Sequence, residues 1–230
     1  LDWALDRIPW DGVERVVDAG CGNGAYFGLL RRRIGTEGTI LGCDLSQGMI
    51  VSARHDGAVL AVGDVQELPL PGSWADVVLS MHMLYHAPDV SRAVREVRRV
   101  LRPGGTLLAA TNAGDHQGEL DEAFRRVARI EGADPLRVSI GRFSLENGES
   151  ILRSGFDDIY RVDLPTTLEV PDVDALVAYI DSTRSWREGL LPADLSWDEC
   201  LARFGAFAEA EIARQGTFRI TAHAGVFVCR

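Results

Sequence analysis

The chain has 230 residues, 46% hydrophobic and 25% charged, which suits one compact globular domain. Its formal net charge of −10 makes it a poor binder of polyanions, and no apolar run reaches the length of a membrane span or follows a signal-peptide pattern. All 24 basic residues are arginine, so every mechanism that needs a lysine is excluded: the GK[ST] phosphate loop, the Tyr-xxx-Lys dehydrogenase pair and Schiff-base chemistry.

At the start, "LDWALDRI" reads as a helix already under way, with Leu1, Leu5 and Ile8 on one face, so residues upstream of Leu1 are expected to be missing or disordered. "RVVDAG" (15–20) is a short buried strand, and residues from about 25 to 34 form a helix closed by Gly35. "GTILGCD" is a second strand ending at Asp44, after which Ser46 caps a helix through about His55. "AVLAVGD" is a third strand ending at Asp64; "QELPLPGSW" punctuates; "ADVVLSMHML" is a fourth. Asp89 caps a helix to about Leu101, "RPGG" breaks it, and "GTLLAATNA" is a fifth strand. Five such alternations predict a doubly wound, mostly parallel α/β sheet.

The second half changes character. Amphipathic helices are expected over about 118–131 and 144–154. "FDDIYRVDLP" and "FRITAHAGVFVC" alternate like antiparallel edge strands and complete seven strands, the last antiparallel. The roughly fifty residues between them are too long for a hairpin loop, so a helical cap is expected at about 166–216, with a smaller helical element at about 116–143, all within one domain over 1–230. The four scattered cysteines, Cys21, Cys43, Cys200 and Cys229, contain no CxxC and read as buried reduced thiols of a cytoplasmic protein.

In an open α/β sheet, ligands bind beyond the carboxyl ends of the strands. Asp18, Asp44 and Asp64 all sit at such ends, and a glycine trio, Gly20, Gly22 and Gly24, follows the first strand. An acid at the end of the second strand can accept from both ribose hydroxyls. By themselves these residues point to a nucleoside-containing cofactor and go no further.

The ordered pieces "VVDAGCGNG", "LGCDLSQGMIVSAR", "GDVQELPLPGSWADVVLSMHMLYH" and "AVREVRRVLRPGGTLLAAT" resemble the class I AdoMet-dependent methyltransferases, in their small-molecule branch. The likeness runs from about Arg15 to Ala110 and more loosely to Arg230, with Trp74–Ala75–Asp76 where the family usually has Phe–Asp. The resemblance implies a Rossmann-like fold and S-adenosylmethionine as cofactor, leaving S-adenosylhomocysteine. It implies that Gly20, Gly22 and Gly24 let the methionine and ribose portions pass, and that Asp18 helps hold the amino end. Asp44 would bind the ribose diol, with Leu45 and Met49 flanking the adenine. Asp64 and the Val65 N–H would read the adenine edge, and Ser80 and Met81 would offer backbone oxygens to the ammonium.

Methyl transfer from a sulfonium is an in-line displacement, so alignment and exclusion of water dominate, and a base matters only when the nucleophile must shed a proton. His86 is the candidate base, with His82 and His116 as further candidates. His82 is expected to alternate onto the packed face of the sheet, whereas His55 and His223 read as structural or exposed. His82 and His86 lack the His-Glu-x-x-His pattern, so no metal is expected. Tyr179, Trp186, Trp197, Phe204 and Phe207 form either the core of a small cap or the lining of an apolar pocket, with Trp186 and Trp197 the better pocket candidates. The expected activity is methylation of an O or N nucleophile of a partly hydrophobic small molecule in secondary metabolism, by a monomer or homodimer without nucleic-acid or membrane partners. C-methylation and a Rossmann oxidoreductase are the alternatives; GxGxG spacing and the missing lysine count against the latter.

Overall fold

The computed structural model describes residues 2–131 and 141–230, so the expectations for Leu1 and for 132–140 of the smaller helical element lie outside the described residues. The chain divides into two compact units, one of residues 1–113, 140–163 and 224–230, the other of 114–139 and 164–223.

The first unit is built on the predicted alternation. Strands β1 (Arg15–Ala19), β2 (Thr39–Asp44), β3 (Val59–Val62), β4 (Ala75–Met81) and β5 (Leu101–Asn112) pair in parallel, β1 with β2 and β4, β2 with β3, and β4 with β5. With β6 (Ile159–Val170) and β7 (Phe218–Cys229) they form a seven-stranded sheet in the order β3-β2-β1-β4-β5-β7-β6, with β7 antiparallel to β5. The last strand is therefore not an edge strand as its alternation suggested. It lies between β5 and β6, and residues 225–229 are buried in consecutive positions because both faces are covered, Phe227 and Cys229 packing into one apolar cluster and Val226 and Val228 into the other.

Alternation sorts the strands' side chains to two faces, each carrying its own apolar cluster. Val17, Ala19, Val78 and Leu107 face one way and pack with helix α4 (Val90–Val100), whose Val90, Ala93, Val94, Val97 and Val100 recur at helical spacing. Val16, Val77, Leu79 and Leu108 face the other way and pack with Leu5 and Ile8 near the start of the chain and with Phe27 and Leu30 of helix α2 (Phe27–Ile34). Here the opening helix α1 is short, Asp2–Leu5, although Leu5 and Ile8 are buried as their spacing predicted.

The predicted caps form. The Ser46 Oγ accepts the Met49 N–H at 3.3 Å and starts α3 (Gln47–Ser52), which stops short of His55 because Ala53 is extended. Asp89 accepts the Arg92 N–H at 2.9 Å and starts α4. α2 begins two residues later than expected because the backbone at Gly24 turns left-handed, φ 74°. Arg102–Gly105 does not separate α4 from its strand: Leu101 already pairs with Ala75, and Thr106 with Val77, so the intervening residues bulge out. Asp76 lies opposite that bulge. Its Oδ2 accepts the N–H groups of Glu14 and Arg15 at 2.7 and 2.8 Å, and its Oδ1 meets Arg102 Nε at 2.6 Å.

In the second unit, helices α5 (Gly118–Ala128), α7 (Val173–Ser182), α8 (Arg184–Arg187) and α9 (Trp197–Gln215) enclose a cluster of Leu120, Phe124, Leu176, Ile180, Phe204 and Ile220. A further short helix, α6 (Gly148–Leu152), belongs to the first unit and is shorter than its amphipathic pattern implied. Trp197 is 3% exposed, lies tilted against Phe124 at 5.9 Å and donates its indole N–H to Asp181 at 2.7 Å, so it is a core residue, with an edge in the wall of a pocket beside Arg184 and Leu195. Trp186 stays largely exposed. Arg187 is buried against the Phe124 ring and pairs with Asp121.

Because Asp76 takes charge-assisted hydrogen bonds from the first residues of β1 and from the bulge of β5, Asp76→Ala is expected to lower stability by about 2–4 kcal/mol. Urea unfolding measures this; a loss below about 0.5 kcal/mol would contradict the role, since surface changes stay within that range.

Candidate active site

The parallel strands end on one edge of the first unit, and there a cavity of about 420 Å³ opens. Asp44, Leu45, Met49, Asp64, Val65, Met81, His82 and His86 all line it, together with Gly20 and Gly22. Leu45 and Met49 stand 72% and 48% exposed, so their apolar surfaces remain available. Asp18, Gly24 and Ser80 are not in the wall, and His116 belongs to the second unit, where its Nδ1 accepts the His223 N–H at 3.1 Å while His223 Nδ1 meets Asp115 at 3.0 Å.

The glycine trio has three different reasons. All three residues adopt left-handed backbone, with φ of 77°, 53° and 74° for Gly20, Gly22 and Gly24. A Cβ on Gly20 would come within 2.6 Å of the Met83 side chain, and one on Gly24 within 2.6 Å of the Phe27 ring and 2.8 Å of the Arg54 carbonyl oxygen. Only Gly22 faces open space. The expectation that Gly24 clears a path for a ligand is therefore replaced: its space is filled by the protein's own α2.

The three strand-end carboxylates differ sharply in how many protein donors reach them. A carboxylate offers about four acceptor directions. Among the described residues, neither oxygen of Asp18 has a hydrogen-bond partner, although the side chain is 1% exposed. Asp44 takes two donors, the Gly22 N–H at Oδ2 and the Ser46 N–H at Oδ1, both at 2.9 Å. Asp64 takes three contacts, all from Gln66: the backbone N–H at 2.8 Å to Oδ1, and the amide Nε2 at 3.2 Å to Oδ1 and 3.0 Å to Oδ2. This leaves about four, two and one acceptor directions open at Asp18, Asp44 and Asp64.

Sequence reading placed His82 on the packed face of the sheet. The strand alternation stops at Met81; His82 takes a left-handed backbone, φ 56°, donates its N–H to the Ala110 carbonyl at 3.0 Å, and joins the cavity wall. His86 sits in the last turn of a 3-10 segment, Leu84–His86, with its ring 4.5 Å from that of Tyr85. Burial holds its pKa below the usual histidine value, Arg142 adds to this and Asp44 opposes it, so the imidazole is neutral at neutral pH. Burial pushes the thiols of Cys21 and Cys43 up to about 12 and 11, which makes neither a nucleophile. No three His, Cys, Asp or Glu side chains among the described residues are placed to hold a metal ion, and no described helix is long and apolar enough to cross a membrane.

Sequence reasoning missed Met83, which fills the space Gly20 vacates, and Gln66, which was read only as punctuation before a proline. No local pattern marks Met83. For Gln66 the signal was present: a side-chain amide two residues after a strand-end acid can fold back onto it.

Residues 17–109 match the methyltransferase domain family. The chain is 35% identical over 179 residues to malonyl-(acyl-carrier protein) O-methyltransferase of Enterobacter lignolyticus, an alignment covering 77% of this chain and 66% of that protein. It is 32% identical over 114 residues to 27-O-demethylrifamycin SV methyltransferase of Amycolatopsis mediterranei, covering 46% of this chain and 41% of that one. The chain thus spans less than two thirds of the length of these curated relatives. A solved structure of phosphoethanolamine N-methyltransferase 2 of Haemonchus contortus, in complex with S-adenosyl-L-methionine, shares the fold with a TM-score of 0.59 at 18% identity, over 99% of this chain and 51% of that one. Residues 17–109 thus form a methyltransferase domain of the class I S-adenosylmethionine-dependent type.

Burial without donors, with Asp44 adding repulsion, raises the Asp18 pKa to about 7. The folded ligand-free protein keeps that proton up to about pH 7, while the unfolded chain loses it near the ordinary aspartate value of 3.8. Between these values the folded state binds more protons, so the stability from this group is full below the lower value and lost as pH rises to the upper one. In the ligand-free protein, the stability of Asp18→Asn relative to wild type is expected to rise by a few kcal/mol, order of magnitude, between pH 4 and 7 and then level off. Urea unfolding of both proteins at several pH values tests this; a difference that does not vary with pH would refute it.

Proposed function

We propose that the protein transfers the methyl group of S-adenosylmethionine to an oxygen or nitrogen nucleophile of a small molecule. The observation that carries this reading is the graded donor supply at the three acids. The cofactor's ammonium brings three donors, its ribose diol two, and its adenine edge an amine. Asp44 and Asp64, in the cavity wall, have about two and one acceptor directions open, and Asp18, buried near Asp44 outside that wall, about four, in the order in which the resemblance assigns them to those groups. A carboxyl buried with no donors holds its proton until a cation offsets the desolvation of its charge, and the ammonium is one. Leu45 and Met49 are left exposed at the rim, where an aromatic base gives them contact. The residues present therefore fit the cofactor.

The cofactor supplies a methyl carbon already bonded to a good leaving group. The chain's work is then alignment and exclusion of water. Val65, Leu68, Met81 and Met83 give the cavity an apolar wall. His86, neutral at neutral pH and in that wall, is placed to take the proton of a hydroxyl acceptor, while an amine acceptor can enter neutral and lose its proton afterwards. An oxygen acceptor is favoured, because two relatives that match over this region carry O-methylation in their names. The net charge of −10 supports an acceptor that is not a nucleic acid.

Thermal shift with S-adenosylmethionine, S-adenosylhomocysteine and NADH separates this reading from a dehydrogenase: the first two are expected to stabilise the protein, and stabilisation by NADH alone would refute it. Asp44→Ala is expected to weaken S-adenosylhomocysteine binding by ~1–3 kcal/mol in calorimetry, since two charge-assisted bonds are lost. With a hydroxyl substrate, His86→Ala is expected to lower turnover by 10²–10⁴-fold, roughly the worth of a general base, with cofactor affinity nearly unchanged; normal turnover would remove His86 as base.

A further inference from the structure

Gln66 makes more contacts around the cavity than any role assigned to it explains. Its Nε2 donates to both oxygens of Asp64 at 3.2 and 3.0 Å, and its backbone N–H donates to Oδ1 at 2.8 Å. Its Oε1 accepts the N–H of Asp89 at 3.1 Å, and its carbonyl oxygen accepts from Arg92 Nε at 3.2 Å. Asp89 is the cap of α4, and the segment from His82 to Pro88, which carries both cavity histidines, runs directly into it.

At neutral pH the side-chain amide suits both partners where its close relatives do not. A carboxylate only accepts and a backbone N–H only donates, so the bridge needs one donor and one acceptor on the same planar group. An amide has both, in the single orientation found here. An ionised glutamate has no donor and would face Asp64 as a like charge. Leucine has neither function, and asparagine is one methylene short of both partners.

We infer that Gln66 is a positioning residue that holds the Asp64 carboxylate with one acceptor direction open toward the ligand and anchors it to the first turn of α4. The inference rests on the proposed reading of Asp64 as the acceptor for the adenine amino group. By occupying three of about four acceptor directions, Gln66 makes Asp64 selective for a ligand that brings a single donor to that spot. Through Asp89 it also ties the adenine end of the cavity to the start of α4, and so to the segment bearing His86.

The experiment is calorimetry on the full chain with two ligands, S-adenosylhomocysteine and its analogue whose purine has no 6-amino group. Wild type is expected to prefer the amino ligand by about tenfold, the worth of one hydrogen bond to a charged acceptor. In Gln66→Leu and Gln66→Glu at pH 8 that preference is expected to fall to about twofold or less, because the carboxylate is no longer held. Asp44→Ala should weaken both ligands alike and leave the ratio intact. Gln66→Glu adds a readout that a merely structural role would not move. Once protonated, its new carboxyl has one donor and one acceptor and matches the amide in shape, so the preference should return as pH falls toward 5. The charged groups facing that carboxyl are Asp64, Asp89 and Arg92, with Glu67 paired to Arg92 at 3.3 Å, and none of these changes between the variants. A tenfold preference that survives in the Gln66 variants, or one that fails to return at low pH in Gln66→Glu, overturns the inference and leaves the adenine reading standing. No preference in wild type overturns both.

Discussion

The structure depends on five strands running parallel with their carboxyl ends on one edge. Register brings Asp18 opposite Gly42, two residues before Asp44, and pairs Asp44 with Val62, two residues before Asp64. Asp44 and Asp64 thus meet in the wall of one cavity, with Asp18 buried near Asp44 outside that wall, and hydrophobic packing on both faces of the sheet holds them there. Had any crossover been antiparallel, one acid would lie at the opposite edge.

That convergence concentrates negative charge, and the chain does not neutralise it evenly. Backbone N–H groups of the glycine turn and of the α3 cap reach Asp44, and an asparagine-like turn closed by Gln66 reaches Asp64, while Asp18 is left with nothing. An unsolvated carboxylate without donors is costly. Keeping one beneath a glycine turn is the local rule-breaking expected where a ligand completes the hydrogen bonding. His86, held below the usual histidine pKa by burial, shares the cavity wall with Asp44, Asp64, Met81 and Met83.

Much of this was legible along the chain because it depends on short-range pattern. Strand alternation, the Ser46 and Asp89 caps, Gly35 closing α2 and the acid at each strand end are all local signals. Features set by partners distant in sequence were not legible. Trp197 has the look of a pocket aromatic until Asp181 and Phe124 are seen to hold it in the core. His82 follows an alternating strand until the left-handed turn after Met81 reverses it. The last strand alternates like an edge strand, yet lies between two others.

The sequence by itself determined that the chain forms a mostly parallel α/β sheet, that three acids and a glycine turn stand at the carboxyl ends of its strands, and that none of its 230 residues is a lysine. These follow from residue type and spacing, because periodicity and turn propensity act over a few residues. Only the tertiary structure decided what each glycine is for. Gly20 and Gly24 yield to Met83 and Phe27, and of the three only Gly22 has open space where a Cβ would stand. It also decided how many donors each acid receives, since a carboxylate's remaining capacity depends on which groups folding brings within about 3 Å, and those come from elsewhere in the chain as often as from the next turn.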